Sequence, residues 1–189
     1  MPTDRALVQK ESMVYAEVLL EAAKASDVVF ELGGQLEQVL KTVRGSIDLR
    51  TTLSDHTIDP SIRYAIVQEV FADYDPALLS ALRVMVERDD VALLSKVNEA
   101  YNNLAEEALG AVIIDVTTVV ELDDALRDKI ETKYAAAFNK DVLLREHVDP
   151  SIIGGIILST HGRRIDASVI SQLETARVVL STVTSGGER

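Results

Sequence analysis

The sequence predicts a mainly α, α+β protein, with an N-terminal six-helix bundle over residues 1–109 and a small β-α-β-β-α domain over residues 110–189. As far as Leu109, apolar residues recur every three to four positions, which is the period of an α-helix. At Gly110 the period changes to two, the period of a strand. Aromatic residues make up only 4% of the chain, so the core has to be aliphatic, which suits packed helices.

Apolar stripes and one glycine predict the first three helices. One face of the first helix carries Tyr15, Val18, Leu19 and Ala22. The second helix is striped by Val29, Leu32, Leu36, Val39 and Val43. Gly45 ends the second helix, and a short third piece runs from Ile47 to Leu53.

The fourth and fifth helices begin with the same pair of residues. In Asp59-Pro60 and Asp75-Pro76 the aspartate can cap a free backbone N–H, and proline at the first helical position needs none. The apolar face of the fourth helix is Ile62, Ile66 and Val70. That of the fifth is Leu78, Leu79, Leu82, Met85 and Val86. A sixth stripe runs through Leu94, Val97, Tyr101, Leu104 and Ala108.

The C-terminal domain is predicted to begin with a strand around residues 112–116. A helix follows, with Asp123 and Asp124 in its first turn and an apolar face of Leu122, Leu126, Ile130 and Tyr134. Residues 141–148 and 155–160 are two further predicted strands. The turn sequence Asp149-Pro150-Ser151 between them predicts a hairpin. The last helix is expected to start near Asp166 or Ser168.

The charge of the chain excludes several classes of function. It has 19 basic and 31 acidic side chains, a net charge of −12, and residues 1–109 carry −9 of it. A protein that binds nucleic acids or anionic membranes needs clustered Lys and Arg side chains, so we expect neither as a partner. There is no cysteine for a disulfide, no signal-peptide core and no apolar run of about 20 residues, so the sequence predicts a soluble protein.

No residue pattern in the chain predicts catalysis. His56, His147 and His161 do not form a pair at metal-ligand spacing, so no metal site is expected. Gly154-Gly155 precedes an apolar strand instead of a capped helix, which favours a bulge or a close backbone approach over a phosphate-binding loop. We therefore expect no catalytic residue and no cofactor.

The first and fifth helices carry more apolar surface than one buried face needs. Two interpretations remain open at this point. Each helix could be central in its bundle, or the two could line a groove that accepts the amphipathic helix of a partner. The acidic charge of this half of the chain further predicts a partner helix that carries Lys or Arg beside its apolar stripe.

One motif is specific to a family. Residues 148–157 read VDPSIIGGII, and they are followed by Ile165-Asp166-Ala167-Ser168-Val169 and then Gln172-Leu173. This pattern closely resembles the delta subunit of the F-type ATP synthase, whose mitochondrial counterpart is the oligomycin-sensitivity-conferring protein. The resemblance covers the whole chain, including Tyr15-Ala16 in the first helix and the change of period at Gly110.

The resemblance implies a non-catalytic stator subunit that ties the catalytic head to the peripheral stalk. Its helical domain would take the N-terminal helix of an alpha subunit, and its C-terminal domain would hold the b subunits. The protein would lie at the cytoplasmic face of an energy-transducing membrane, touching the membrane only through the complex. Two alternatives to a stator subunit remain. The protein could be a helical adaptor of another complex, or an enzyme with a site between the domains.

The resemblance also assigns roles to residues. The groove for the alpha-subunit helix would be lined by Tyr15, Val18, Leu19, Ala22, Leu78, Leu82, Met85 and Val86. The motif residues would shape the C-terminal fold, and they are Asp149, Pro150, Ser151, Gly154, Gly155, Asp166, Ser168 and Leu173. Among these, Gly155 would supply backbone freedom and Asp166 would cap the last helix.

Overall fold

The computed structural model describes residues 5–160 and 163–184. The chain divides into two compact units, Met1–Leu109 and Gly110–Arg189. The described part is mostly helical with a small mixed sheet, so the α+β class predicted from the sequence is confirmed. None of its helices combines the length and the apolarity needed to cross a membrane.

The described residues of the first unit form six α-helices. They are α1 (Arg5–Ser26), α2 (Val29–Gly45), α3 (Ile47–Ser54), α4 (Pro60–Val70), α5 (Pro76–Glu87) and α6 (Leu94–Leu109). A short 3₁₀ turn, Val91–Leu93, leads into α6.

The starts of α4 and α5 follow the rule that predicted them. The carboxylate of Asp59 accepts the backbone N–H of Ser61 at 2.8 Å, and that of Asp75 accepts the N–H of Ala77 at 2.8 Å. A proline occupies the first turn of each helix. Each cap satisfies a backbone donor that has no partner inside its helix.

The core of the helical unit is aliphatic and surrounds one buried tyrosine. Tyr101 of α6 is fully buried, and its hydroxyl donates to the backbone carbonyl of Val29 at 2.9 Å. This bond satisfies the phenol in an apolar interior. The residues buried around the unit include Leu19, Leu32, Leu36, Val39, Val67, Leu78, Met85 and Val97.

The buried face of α4 differs from the one that the sequence predicted. Ile62 and Val70 are exposed, whereas Arg63, Val67 and Phe71 are buried. The buried face is therefore shifted by one residue. An arginine can take a core position here because its guanidinium donates to two backbone carbonyls and one carboxylate.

Besides a 3₁₀ turn, Pro150–Ile152, the described residues of the second unit form four strands and two α-helices. They are β1 (Ala111–Thr118), α7 (Asp124–Phe138), β2 (Asp141–Val148), β3 (Ile156–Thr160), β4 (Arg163–Asp166) and α8 (Val169–Thr184). The strand order in the sheet is β2-β1-β3-β4. The strand β4 was not predicted, because it is only four residues long and all of them are exposed.

The hairpin predicted between β2 and β3 is wrong. Strand β1 lies between them, parallel to β2 and antiparallel to β3. Strands β3 and β4 form the antiparallel pair of consecutive strands instead. Asp149-Pro150-Ser151 still makes a turn, but it carries the chain past the end of β1, where Asp149 N–H donates to the Thr118 carbonyl at 2.7 Å.

One face of the sheet packs against α7. Val112, Ile114 and Val116 of β1 form the core there with Leu122 and Ile130. The other face of β1 carries Asp115, whose carboxylate accepts from the buried Arg145 of β2 at 3.2 Å. Strand β1 is thus mostly buried on both faces, as expected for the inner strand of a mixed sheet.

The motif residues act at the junction of β3 and α8. Gly155 has a φ of +85°, and a Cβ there would lie 2.3 Å from the carbonyl oxygen of Ala167. Only glycine therefore lets the segment before β3 approach the segment before α8. The N–H of Val169 donates to the Gly154 carbonyl at 2.9 Å and joins the same two segments.

Two motif residues have roles other than those expected. Ser168, not Asp166, caps α8, because the Ser168 hydroxyl accepts from Ser171 N–H at 3.3 Å. Asp166 accepts from the N–H and the hydroxyl of Ser168, at 3.0 and 2.6 Å, and so holds the capping residue. Leu173 does not shape the fold by packing, since it is 58% exposed on α8.

Candidate functional site

An apolar groove runs along the surface of the helical unit between α1 and α5. Its volume is 610 Å³. Its lining residues are Lys10, Glu11, Val14, Tyr15, Val18, Leu19, Ala22, Ala77, Ser80, Ala81, Val84 and Arg88. The four residues predicted from α1, namely Tyr15, Val18, Leu19 and Ala22, are all among them.

Helix α1 contributes one face to the core and the adjacent face to the groove. Ala16, Leu20 and Ala23 are buried in the unit. Val14 and Val18 lie on the groove side and are 59% and 63% exposed. Valines this open at neighbouring positions of one helix face form the kind of apolar patch that binds partners.

The residues predicted from α5 are on the wrong face. Leu78, Leu82, Met85 and Val86 are buried in the core and do not line the groove. The groove is lined instead by Ala77, Ser80, Ala81, Val84 and Arg88. The larger side chains take the core face because they bury more apolar area, and the smaller ones leave the space that forms the groove.

A signal for the second face was present in the sequence. Ala77, Ser80, Ala81 and Val84 recur at the helical period of three and four, beside the stripe of larger residues. Small residues at this spacing allow another helix to approach closely.

The groove is long enough for a short helix. The residues of α1 that line the groove run from Lys10 to Ala22. From Lys10 to Ala22 the rise of α1 is about 18 Å, the length of about three helical turns. The groove therefore fits an amphipathic helix of about 12 residues.

One end of the groove is polar. The Tyr15 hydroxyl donates to Asp90 Oδ2 at 2.7 Å, and Arg88 Nε donates to the same oxygen at 3.1 Å. Burial raises the pKa of Tyr15 to about 12, and the hydrogen bond to the Asp90 carboxylate adds to this effect. The phenol is therefore held as a neutral donor that ties α1 to the residues following α5.

The hydrogen bond between Tyr15 and Asp90 predicts how the stability of the protein changes at alkaline pH. Because the pKa of Tyr15 is about 12 in the folded state and 10.0 ordinarily, its contribution to stability is complete below pH 10 and is lost as the pH rises through 12. We expect Tyr15→Phe to lose less unfolding free energy than the wild type between pH 10 and 12. Urea unfolding at several pH values measures this difference.

Tyr64→Phe is the control for this comparison. It removes a hydroxyl that has no hydrogen bond among the described residues. Equal losses of stability in the wild type and in Tyr15→Phe over this pH range would contradict the expected role of the Tyr15–Asp90 bond.

The charged lining of the groove is not acidic, although the helical half of the chain carries a net negative charge. It consists of two basic side chains, Lys10 and Arg88, and one acidic side chain, Glu11. Histidine is absent from this lining. The groove has the chemistry to bind an apolar helix face.

A second apolar surface lies on α8 in the other unit. Among residues 169–179 every side chain except Ser171 is exposed. The exposed apolar ones are Val169, Ile170, Leu173, Val178 and Val179. An isolated helix gains little stability from its own sequence, so an apolar helix this open is suited to pack against a partner.

Comparisons with known proteins agree with the resemblance noted in the sequence. A family model described as ATP synthase delta (OSCP) subunit matches residues 12–180. ATP synthase subunit delta of Flavobacterium johnsoniae is 28% identical over 167 residues, which cover 88% of this chain and 94% of the relative. The protein of the same name from Anaeromyxobacter dehalogenans is 33% identical over 170 residues, with the same coverage.

A solved structure shares the fold. A chain in the cryo-EM structure of the Toxoplasma gondii mitochondrial ATP synthase hexamer matches with a TM-score of 0.55 and 17% identity, covering 89% of this chain and 96% of that one. Since the family model matches most of the sequence, from the first helix to the last, the chain belongs to the ATP synthase delta (OSCP) subunit family.

Proposed function

We propose that the chain is a stator subunit that ties the catalytic head of an F-type ATP synthase to its peripheral stalk. The observation that carries the proposal is the groove between α1 and α5, in a member of a family of stalk subunits. The subunit has no catalysis of its own and works through its interfaces. Proton flow turns the rotor, and the stator prevents the head from turning with it.

The head-side contact is the N-terminal helix of an alpha subunit, seated in the groove. The partner helix lays its apolar stripe on Val14, Val18 and Val84. The small side chains of Ala77 and Ala81 let its backbone come close. Burial of this surface supplies the affinity, and the polar end of the groove fixes the register.

The stalk-side contact is the set of b subunits, bound by α8. Its apolar side chains, such as Leu173 and Val178, are uncovered in the chain alone. Helices of the b subunits would cover them. The protein is thereby held at the cytoplasmic face of an energy-transducing membrane, with no contact to the lipid of its own.

A bridging experiment tests both contacts at once. The soluble part of the b subunits is immobilised, and capture of catalytic head lacking its own delta subunit is measured with and without the full chain. We expect head capture only when the chain is present. Val18→Asp should abolish head capture while leaving the chain on the b subunits. Leu173→Asp should remove the chain itself.

Thr175→Asp is the matched control on α8, since it places the same charge at an exposed polar position. It should bridge as the wild type does. Absence of head capture by the wild-type chain would contradict the stator function. Capture of other protein complexes in place of the head would favour an adaptor of a different assembly.

A further inference from the structure

The chain reversal at the end of α5 has an unusual residue at its centre. Asp89 N–H donates to the Val86 carbonyl at 3.3 Å and Asp90 N–H to the Met85 carbonyl at 2.7 Å, the bonding of a Schellman motif. The central residue, Asp89, has a φ of +62°. Glycine usually takes this position because a Cβ is disfavoured there.

The Asp89 side chain holds a buried cation. Its Oδ1 accepts from Arg63 Nη1 at 2.8 Å, and Arg63 is only 2% exposed. The guanidinium also donates to the carbonyls of Leu53 and Ile58, each at 3.1 Å. His56 Nδ1 lies 3.1 Å from the same carboxylate oxygen. Asp89 thus fastens the reversal after α5 to α4 and to the segment before it.

The next residue acts on the opposite side. The Asp90 carboxylate accepts from Tyr15 and Arg88 at the polar end of the groove. Asp89 and Asp90 share one peptide unit, so the dihedral angles of Asp89 set the direction of Asp90. A glycine would adopt the same φ with less strain, but it could not hold Arg63.

We propose that Asp89 and Arg63 are positioning residues of the groove. Their contacts hold the reversal in the one conformation that directs Asp90 at Tyr15 and Arg88. Neither Asp89 nor Arg63 itself lines the groove. The proposal rests on the proposed function, since its consequence is the affinity of the groove for the partner helix. Without the Arg63–Asp89 pair, the partner has to order the polar end when it binds, which weakens binding.

The test compares Asp89→Gly with Asp27→Gly. Asp27 is the matched control, because it lies at the same kind of reversal after α1, with a φ of +57°. Its side chain has no hydrogen bond or ion pair with the described residues. Calorimetric titration uses a synthetic peptide of the alpha-subunit N-terminus. We expect Asp89→Gly to bind it about three- to tenfold more weakly and Asp27→Gly to bind it like the wild type.

A second readout separates positioning from stability. We expect Asp89→Gly to shift the ¹³Cζ resonance of Tyr15, assigned through Tyr15→Phe, in the free and folded protein. In a Tyr15→Phe background, Asp89→Gly should have a smaller effect on peptide affinity, because the two substitutions disrupt the same end of the groove. Wild-type affinity and an unchanged resonance in folded Asp89→Gly would overturn the proposal.

Asp89→Asn keeps the test decisive if Asp89→Gly fails to fold. Asparagine retains an oxygen that can accept from Arg63, and it tolerates a positive φ. The peptide affinity and the Tyr15 resonance of Asp89→Asn should therefore lie between those of the wild type and those of Asp89→Gly. An unchanged resonance in Asp89→Asn, with an unfolded Asp89→Gly, would limit Asp89 to stability and overturn the proposal. Failure of the wild type to bind the peptide would contradict the proposed function alone, because the resonance test needs no peptide.

Discussion

Val18→Asp is expected to weaken binding of the alpha-subunit peptide by about 100-fold. Val18 is the most exposed of the valines that line the groove, so the substitution puts a carboxylate where the apolar stripe of the partner would cover it. Burying that carboxylate without a partner costs more than the lost apolar contact. The unfolding free energy should stay within about 0.5 kcal/mol of the wild type, because the position is open in the free chain.

Ile47→Asp is the control for this substitution. Ile47 is similarly exposed, but it begins α3 and does not line the groove. Its replacement should leave the dissociation constant of the peptide unchanged in the same calorimetric titration. Equal affinities of Val18→Asp and the wild type would place the peptide elsewhere on the protein and remove the groove from the proposed function.

Gly155→Ala is expected to destabilise the C-terminal unit by about 3 kcal/mol, the sum of two effects. The φ of +85° disfavours any side chain, and the new Cβ would lie 2.3 Å from the Ala167 carbonyl oxygen and 2.9 Å from Ser168 Cα. Backbone atoms cannot rotate away as a side chain can. The segments before β3 and before α8 would therefore have to separate.

Gly110→Ala isolates the first of these effects. Gly110 has a φ of +67°, but no atom lies within 4 Å of a Cβ built there. Its replacement should cost about 1 kcal/mol. Hydrogen exchange of the β1 amides in both variants measures the loss, since these amides lie at the centre of the sheet. Equal losses for Gly155→Ala and Gly110→Ala would show that the close approach at Gly155 carries no energy.

Local signals in the sequence predicted local structure well. The aspartate-proline pairs marked the starts of α4 and α5, because a cap and a first-turn proline act within a few residues. The alternating residues after Gly110 marked β1 in the same way. The hairpin between β2 and β3 failed because Asp149-Pro150-Ser151 specifies a turn but not which strand pairs with the next one.

The groove was predicted only in part for a similar reason. Tyr15, Val18, Leu19 and Ala22 were identified, since one stripe of α1 reaches the groove. On α5 two apolar stripes lie side by side, and the sequence does not state which neighbours each one will have. The stripe with larger residues entered the core, while Ala77, Ala81 and Val84 faced the groove.

The sequence by itself determined the family, the class of fold and the absence of a recognisable catalytic pattern, because motifs, periods and charge are properties of the chain. Only the tertiary structure decided which faces are buried, that a buried Arg63 replaces an apolar residue on α4, and that Asp89 and Asp90 point to opposite sides of one reversal. The physical reason is that burial and hydrogen bonding depend on partners that are distant in sequence. Arg63 is stable inside the protein because a carboxylate 26 residues away and two backbone carbonyls accept its donors.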